Sequence, residues 1–272
     1  MATYKKPKTQ ARTYQKRKIR VKTRTRRRSR LPRLIFACLV FAIMFYMLGK
    51  GEWPVREEEP AAEPVPAGNV WFTLDGEEIP LFDGETATII LGDDMPDFTE
   101  AELAEGGKSF LRLAELDELG RCGSAAASLV IHDLPIAERG TLGDLRPSGY
   151  HNVKYDELIE DGFLYNRCHL IAYALSGIND DPRDIITGTR YLNYEGMLPL
   201  EQQVLKAVYD SDRILYRVTP VFCGDELVCR GVRLEALSLP DRGKLFHMDR
   251  FCYNVQPGIE IDYETGESKR AG

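Results

Sequence analysis

The sequence has no CxxC pair, and its six cysteines and four histidines nowhere fall at the spacing of a structural zinc site, which excludes zinc fingers and ribbons. It has no GxxxxGK[ST] loop, so nothing supports nucleotide-driven chemistry or a bound nucleotide cofactor. Internal repeats and apolar heptads are missing too, which excludes a solenoid and a long coiled coil. The most telling absence is of acid: residues 1–50 hold 16 of the 36 Lys and Arg and none of the 42 Asp and Glu. The overall charge of −6 therefore conceals a remainder, 51–272, at −22. Across the 272 residues, 43% are apolar, enough for one good-sized core and too many for global disorder.

Charge is missing again from Leu34 to Gly49, where LIFACLVFAIMFYMLG runs sixteen residues. As a helix this run spans about 24 Å against a hydrocarbon core of roughly 30 Å, and Arg33 and Lys50 can snorkel to the two interfaces. A cleaved signal peptide is the rival reading, which would leave a secreted protein. Its charged n-region would run 33 residues, however, and no small-x-small site directly follows the apolar run. The expectation is an uncleaved transmembrane signal anchor at 34–49, a basic cytoplasmic tail at 1–33, and everything after it outside the cytoplasm by the positive-inside rule. Beside an apolar span, the basic tail reads as topology and attraction to anionic head groups rather than as a nucleic-acid arm. Residues 50–68 mix Pro and Glu into a semi-extended linker, leaving 69–272 as the extracytoplasmic domain.

Runs rich in Val, Ile, Phe and Tyr predict strands at Asn69–Leu74, Thr86–Leu91, Ala125–Ile131, Ile214–Phe222 and Leu227–Leu237. Thr99 with Glu102 three residues on has the form of a capping box, and Leu200, Val204, Leu205 and Val208 repeat at helical spacing. The fold class is α+β. Cys223 and Cys229 flank GDELV between two strand-like runs, where a hairpin disulfide is possible.

Of the four histidines, His132 reads as structural, while His151 and His247 read as loop residues. His169 differs, standing in Tyr165-Asn166-Arg167-Cys168-His169-Leu170 where a strand-like stretch meets an apolar one. Arg167, two residues earlier, shares its face if the stretch is extended, whereas Cys168 points away and makes a poor partner for a Cys/His dyad. Asn193 follows in Thr187-Gly188-Thr189-Arg190-Tyr191-Leu192-Asn193, and Glu201 opens a helical stretch with Pro199 near its first turn. Together these offer a base, a neutral oxygen ligand, a carboxylate and two guanidinium groups.

The joint pattern, NRCH followed by TGTRYLN-EGMLP-E, resembles the DNA/RNA non-specific endonucleases of the ββα-metal (His-Me finger) class, and most of all the bacterial DNA-entry nucleases. LDELGRCG, RGTLGDLRPSGYH, LYRVTPVF and YNVQPGIEIDY look like further segments of that family, so the likeness covers about 116–263. It implies a ββα element at about 160–210 within a mixed or antiparallel sheet flanked by helices. It also implies a sequence-non-specific endonuclease of DNA and RNA, leaving 5′-phosphate and 3′-hydroxyl ends. His169 would be the general base, Asn193 the one direct protein ligand of Mg²⁺ (with Mn²⁺ as a substitute), and Glu201 the holder of metal-bound water. Arg167 would clamp the phosphate, with Arg190 and Arg139 as further substrate contacts and Arg146 an alternative to Arg139. Asn166 and Cys168 depart from the better-known Asp-Arg-Gly-His form, and Asp184, standing where relatives carry Asn, reads as a shell ligand or a helix cap. Two other functions share the pattern: a catalytically silent nucleic-acid receptor of an uptake apparatus, and a secreted nuclease toxin.

An ectodomain at −22 should repel DNA, but residues 51–132 carry −15 of that charge and 133–272 only −7. Substrate contact is expected to rest on local arginines and the metal, with modest affinity that falls with salt.

Overall fold

The computed structural model describes residues 70–160 and 162–272. The basic tail, the 34–49 span and the 50–68 linker lie outside the described residues. Among the described residues no helix is long and apolar enough to cross a membrane.

A six-stranded sheet organises the domain, in the order β3 (Thr88–Ile90), β10 (His247–Tyr253), β9 (Gly231–Ser238), β8 (Ile214–Val221), β5 (Ala125–Leu129), β4 (Phe110–Leu113). Every pairing in it is antiparallel, so of the two sheet types expected this sheet is the antiparallel one. Alternation divides its faces. Ile214, Tyr216, Val218, Val232, Leu234, Ala236, Met248 and Cys252 enter the main core. That core is completed by α3 (Leu198–Asp210), whose buried Leu200, Val204, Ala207 and Val208 recur at the spacing read from the sequence.

The opposite face is covered by the hairpin β1 (Val70–Leu74) and β2 (Glu77–Pro80) and by α1 (Glu100–Glu105). Phe251 and Tyr253 pack there against Ile79 and Leu91, with Trp71 stacked 6.0 Å from Tyr253. The capping box at the start of α1 is formed: Thr99 Oγ1 accepts the Glu102 amide at 3.2 Å, and Glu102 accepts the Thr99 amide at 2.8 Å. The free oxygen of the same carboxylate takes Arg217 at 2.6 Å, so one glutamate both caps a helix and ties it to the sheet.

Three expectations are corrected. The strand expected from Leu227 starts only at Gly231, because the amides of Leu227 and Val228 bond to the carbonyl of Tyr263 instead of to a neighbouring strand. His247 opens the long inner strand β10 rather than sitting in a loop, its Nδ1 2.7 Å from the Gly243 carbonyl. Cys223 and Cys229 are both free thiols, with Cys229 turned into the main core.

Apart from this sheet stand the hairpin β6 (Tyr165–His169) and β7 (Ile185–Thr189), with the short helix α2 (Tyr173–Ser176) between its strands, the turn 192–197 and α3, which form the ββα element where it was expected. Its hairpin is fitted tightly on the core side. Gly188 pairs with Asn166, diagonal to Cys168, and a Cβ there would collide with the Cys168 sulfur. Gly188→Ala should therefore destabilise the protein by about 1–3 kcal/mol, the usual cost of overpacking, seen as a lower melting temperature. Cys168→Ala in the same chain should recover most of that loss; a double variant melting no higher than Gly188→Ala would show that the thiol is not the obstacle.

Candidate active site

Period-two alternation along β6 separates structure from chemistry. Cys168 is buried in the main core, where desolvation pushes its thiol well above the ordinary range and leaves it inert. Arg167 and His169 face the other way, onto a cavity of about 380 Å³ that Asn166, Asn193, Glu201 and Arg139 also line. Residues far apart in the chain thus meet at one place.

Buried contacts fix each contributor. The turn bearing Asn193 begins where the wholly buried Thr189 hydroxyl accepts the Leu192 amide at 2.9 Å and donates to the Val255 carbonyl at 2.6 Å. Leu192 and Met197 anchor the same turn in the core, so Asn193 is held between two apolar pegs. Glu201 lies in the first turn of α3, one turn before the buried Val204. Arg167 rests over the Tyr150 ring at 4.8 Å and donates through Nε to the Leu145 carbonyl.

His169 is buried, with 7% of its surface exposed, and its two nitrogens have different partners. Nε2 lies 3.0 Å from the Asn179 carbonyl and Nδ1 lies 3.4 Å from Arg139 Nη2. A carbonyl can only accept and a guanidinium can only donate, so Nε2 carries the proton and Nδ1 presents its lone pair toward Arg139. Burial lowers the ring's pKa from its ordinary 6.5; the Asn179 bond opposes this and the charge of Arg139 adds to it. The ring is therefore a neutral, oriented base at pH 7.

Glu201 shows the reverse effect: burial pushes its carboxyl up to about 7, against the pull of Arg139. With Asn193 it gives the cavity one anionic and one neutral oxygen donor. Among the described residues no three His, Cys, Asp or Glu groups are arranged to hold a metal ion. The donor set thus suits a hard cation that keeps most of its own water, not one caged by protein.

Two arginines named from the sequence stand elsewhere. Arg190 does not line the cavity; it pairs with Glu160 at 3.2 Å and lies over the ring of Tyr194, which does line it, at 4.2 Å. Arg146 does not line it either. Tyr173 and Tyr194, which the sequence did not single out, do. Asp184 is wholly buried, and its Oδ1 accepts the Ile171 amide at 3.0 Å, pinning the chain two residues after the base. This bond caps no helix, and Asp184 does not line the cavity; the carboxyl anchors backbone beyond the end of β6.

Residues 105–238 match the family model of the DNA/RNA non-specific endonucleases. Among solved structures, NucA from Streptococcus agalactiae with no metal bound is similar at 25% identity and a TM-score of 0.60, over 68% of this chain and 88% of that one. NucA with magnesium bound gives 24% identity and 0.59, over 68% and 89%. Sda1 nuclease with bound zinc gives 21% and 0.58, over 68% and 97%.

Asp184 yields a test of the burial behind the site. Desolvation raises its carboxyl from 3.8 to about 8, partly opposed by the Ile171 amide, and its Oδ2 has no hydrogen-bond partner. Between those two pH values the folded state keeps a proton that the unfolded chain releases, so this group's contribution to stability declines as pH rises from about 4 to about 8. Asp184→Asn keeps an acceptor for Ile171 and cannot ionise. Its melting temperature should gain on the parent's by several degrees between pH 5 and pH 9, and parallel melting profiles would contradict the argument.

Proposed function

Because the chain belongs to the DNA/RNA non-specific endonuclease family through residues 105–238, we propose that it is a Mg²⁺-dependent endonuclease of DNA and RNA. We propose further that it acts outside the cytoplasm, tethered to the membrane by residues 34–49. One observation carries the catalytic part: a buried, neutral imidazole with Nε2 tied to a carbonyl and its acceptor Nδ1 facing Arg139 shares a cavity with an amide, a carboxyl group and two guanidinium groups. The tether rests on the uncharged run after fifteen cations and no acids by Arg33.

In this reading His169 Nδ1 takes a proton from the attacking water while the Nε2–H···O bond to Asn179 keeps the ring from turning. The proton taken up leaves an imidazolium whose Nε2–H still points at a carbonyl, so the ring itself needs no reorientation, while Arg139 moves from Nδ1 to the phosphoryl oxygens. Arg167 and Arg139 bind the phosphoryl oxygens, where a guanidinium makes short charge-assisted bonds. Asn193 and Glu201 would hold the Mg²⁺, Asn193 directly and Glu201 through water, and the cation supplies neutralisation of charge on the phosphoryl group and the departing 3′-oxygen. That NucA is solved with magnesium bound and Sda1 with zinc bound supports a divalent cation for a protein of this fold. Contacts to phosphate rather than to base edges carry no sequence information, which accounts for the lack of specificity.

The protein should nick supercoiled plasmid and degrade RNA with Mg²⁺ or Mn²⁺ and stop with EDTA. His169→Ala and Asn193→Ala should each lower turnover by about 10²- to 10⁴-fold with melting temperatures nearly unchanged. Because burial lowers the ring's pKa, the acid limb of kcat/KM should fall below pH 6.5. Binding without cleavage would favour the silent receptor, and loss of activity only through unfolding would return both residues to structural parts.

A further inference from the structure

Arg139 reaches the cavity from a loop, 134–146, with little structure of its own. Among the described residues it makes no backbone-to-backbone hydrogen bond over those thirteen positions. Side chains of the finger hold it instead, at three points. The Tyr173 hydroxyl donates to the carbonyls of Ala137 and Glu138 at 3.1 and 3.3 Å. Asn179 Nδ2 donates to the Thr141 carbonyl at 2.7 Å. Arg167 Nε donates to the Leu145 carbonyl. Arg139 stands between the first two points.

Asn179 is the only one of the three that also holds the base. Its backbone carbonyl accepts His169 Nε2 at 3.0 Å while its side chain holds the loop two residues beyond Arg139. The fit is close: a Cβ on Gly140 would lie 3.2 Å from the Asn179 amide nitrogen, so the loop backbone passes directly against this side chain. The amide's orientation is set by the Thr141 carbonyl, which requires a donor, and Oδ1 is left buried without a partner. An isolated buried acceptor is an expense, and it is accepted where the donor opposite it matters.

We propose that Asn179 is a positioning residue that sets the Arg139 loop against the His169 ring, so that the base and the guanidinium are placed by one residue. The proposal rests on the nuclease reading above. It assigns Asn179 no contact with substrate: its effect passes through Arg139, and its backbone carbonyl continues to hold His169 whatever the side chain is. Replacing the side chain should therefore free the arginine without releasing the base. Asn179→Asp is the sharper variant, because it keeps the shape and removes the only donor, leaving two carboxylate oxygens facing a carbonyl.

The test is a double-mutant cycle on the full chain with Mg²⁺, together with amide hydrogen exchange. Asn179→Ala and Asn179→Asp should each lower kcat roughly tenfold or more with KM within about threefold, as expected when an interaction made mainly in the transition state is lost. In an Arg139→Ala background the same changes should cost less than about threefold, since coupled residues do not add. Amides of 136–145 should exchange faster in both Asn179 variants while those of β6 and α3 stay protected. Equal losses with and without Arg139, or unchanged exchange across 136–145, would overturn the proposal. If the parent protein cleaved neither DNA nor RNA, the nuclease reading would fall, and the exchange comparison alone would still decide whether Asn179 holds the loop.

Discussion

Which nitrogen of a histidine carries the proton is set by the hydrogen bond the other makes, and the bond between His169 Nε2 and the Asn179 carbonyl leaves Nδ1 as the acceptor. Much of the surrounding structure serves to keep the bond in place. Burial of Cys168 on one side of β6 forces Arg167 and His169 to the other. The Asp184 carboxyl pins the chain just beyond the base. Thr189 and its neighbours hold the turn that brings Asn193 to the same cavity. Each of these is a packing or hydrogen-bonding requirement first; the site is what those requirements leave exposed.

Charge follows the same division of labour. The acid that makes this domain so negative is partly consumed on the far face of the sheet. There Asp97, Glu102 and Glu235 meet Arg217, while Asp75 and Asp249 meet Arg233. Arg217 and Arg233 have side chains only 19% and 11% exposed, so these two guanidinium groups are held by pairing, although Asp97 and Asp75 stay mostly in water. Acids of the N-terminal stretch thereby fasten α1 and the first hairpin to β8 and β9. The cavity, on the other face, has Arg139 and Arg167 as its cations against Glu201 as its carboxyl group. The local field at the site is therefore far less hostile to a phosphate than the total charge suggests.

What could be read from the residues alone depended on whether the signal was local. The capping box at Thr99 and the 3.6-residue repeat of α3 are local, and both stand. Strand β10 was not legible, since His-Met-Asp-Arg-Phe-Cys-Tyr looks polar until Arg233 is found paired with Asp249 from the neighbouring strand. The strand expected from Leu227 failed for a similar reason, its first amides being claimed by a carbonyl more than thirty residues away. At the site, the family pattern brought Arg167, His169, Asn193 and Glu201 to notice, and the fold gathers them with Arg139. It could not place Arg190, whose neighbours in sequence suggest the site but whose guanidinium is spent on Glu160 and Tyr194. Nor could it mark Asn179, because a residue that acts through its backbone carbonyl and one amide hydrogen leaves no pattern in composition or spacing.

The groups packed behind the site indicate what this arrangement costs. Asp184 Oδ2 and the Tyr216 hydroxyl are both buried without partners, and Asp184 and Glu201 are both raised toward neutrality by desolvation. Apolar replacements at such positions would ordinarily make a more stable core. Their presence next to the finger is consistent with a site built for positive charge: a buried carboxyl that ionises reluctantly on its own gains most when a cation shares its cavity, and the free energy withheld from folding is then released as binding. Under the proposed metal-dependent function, the same burial that weakens the finger would strengthen its hold on a hydrated cation. Glu201 rather than Asp184 is the group through which this would be felt, because only Glu201 faces the cavity.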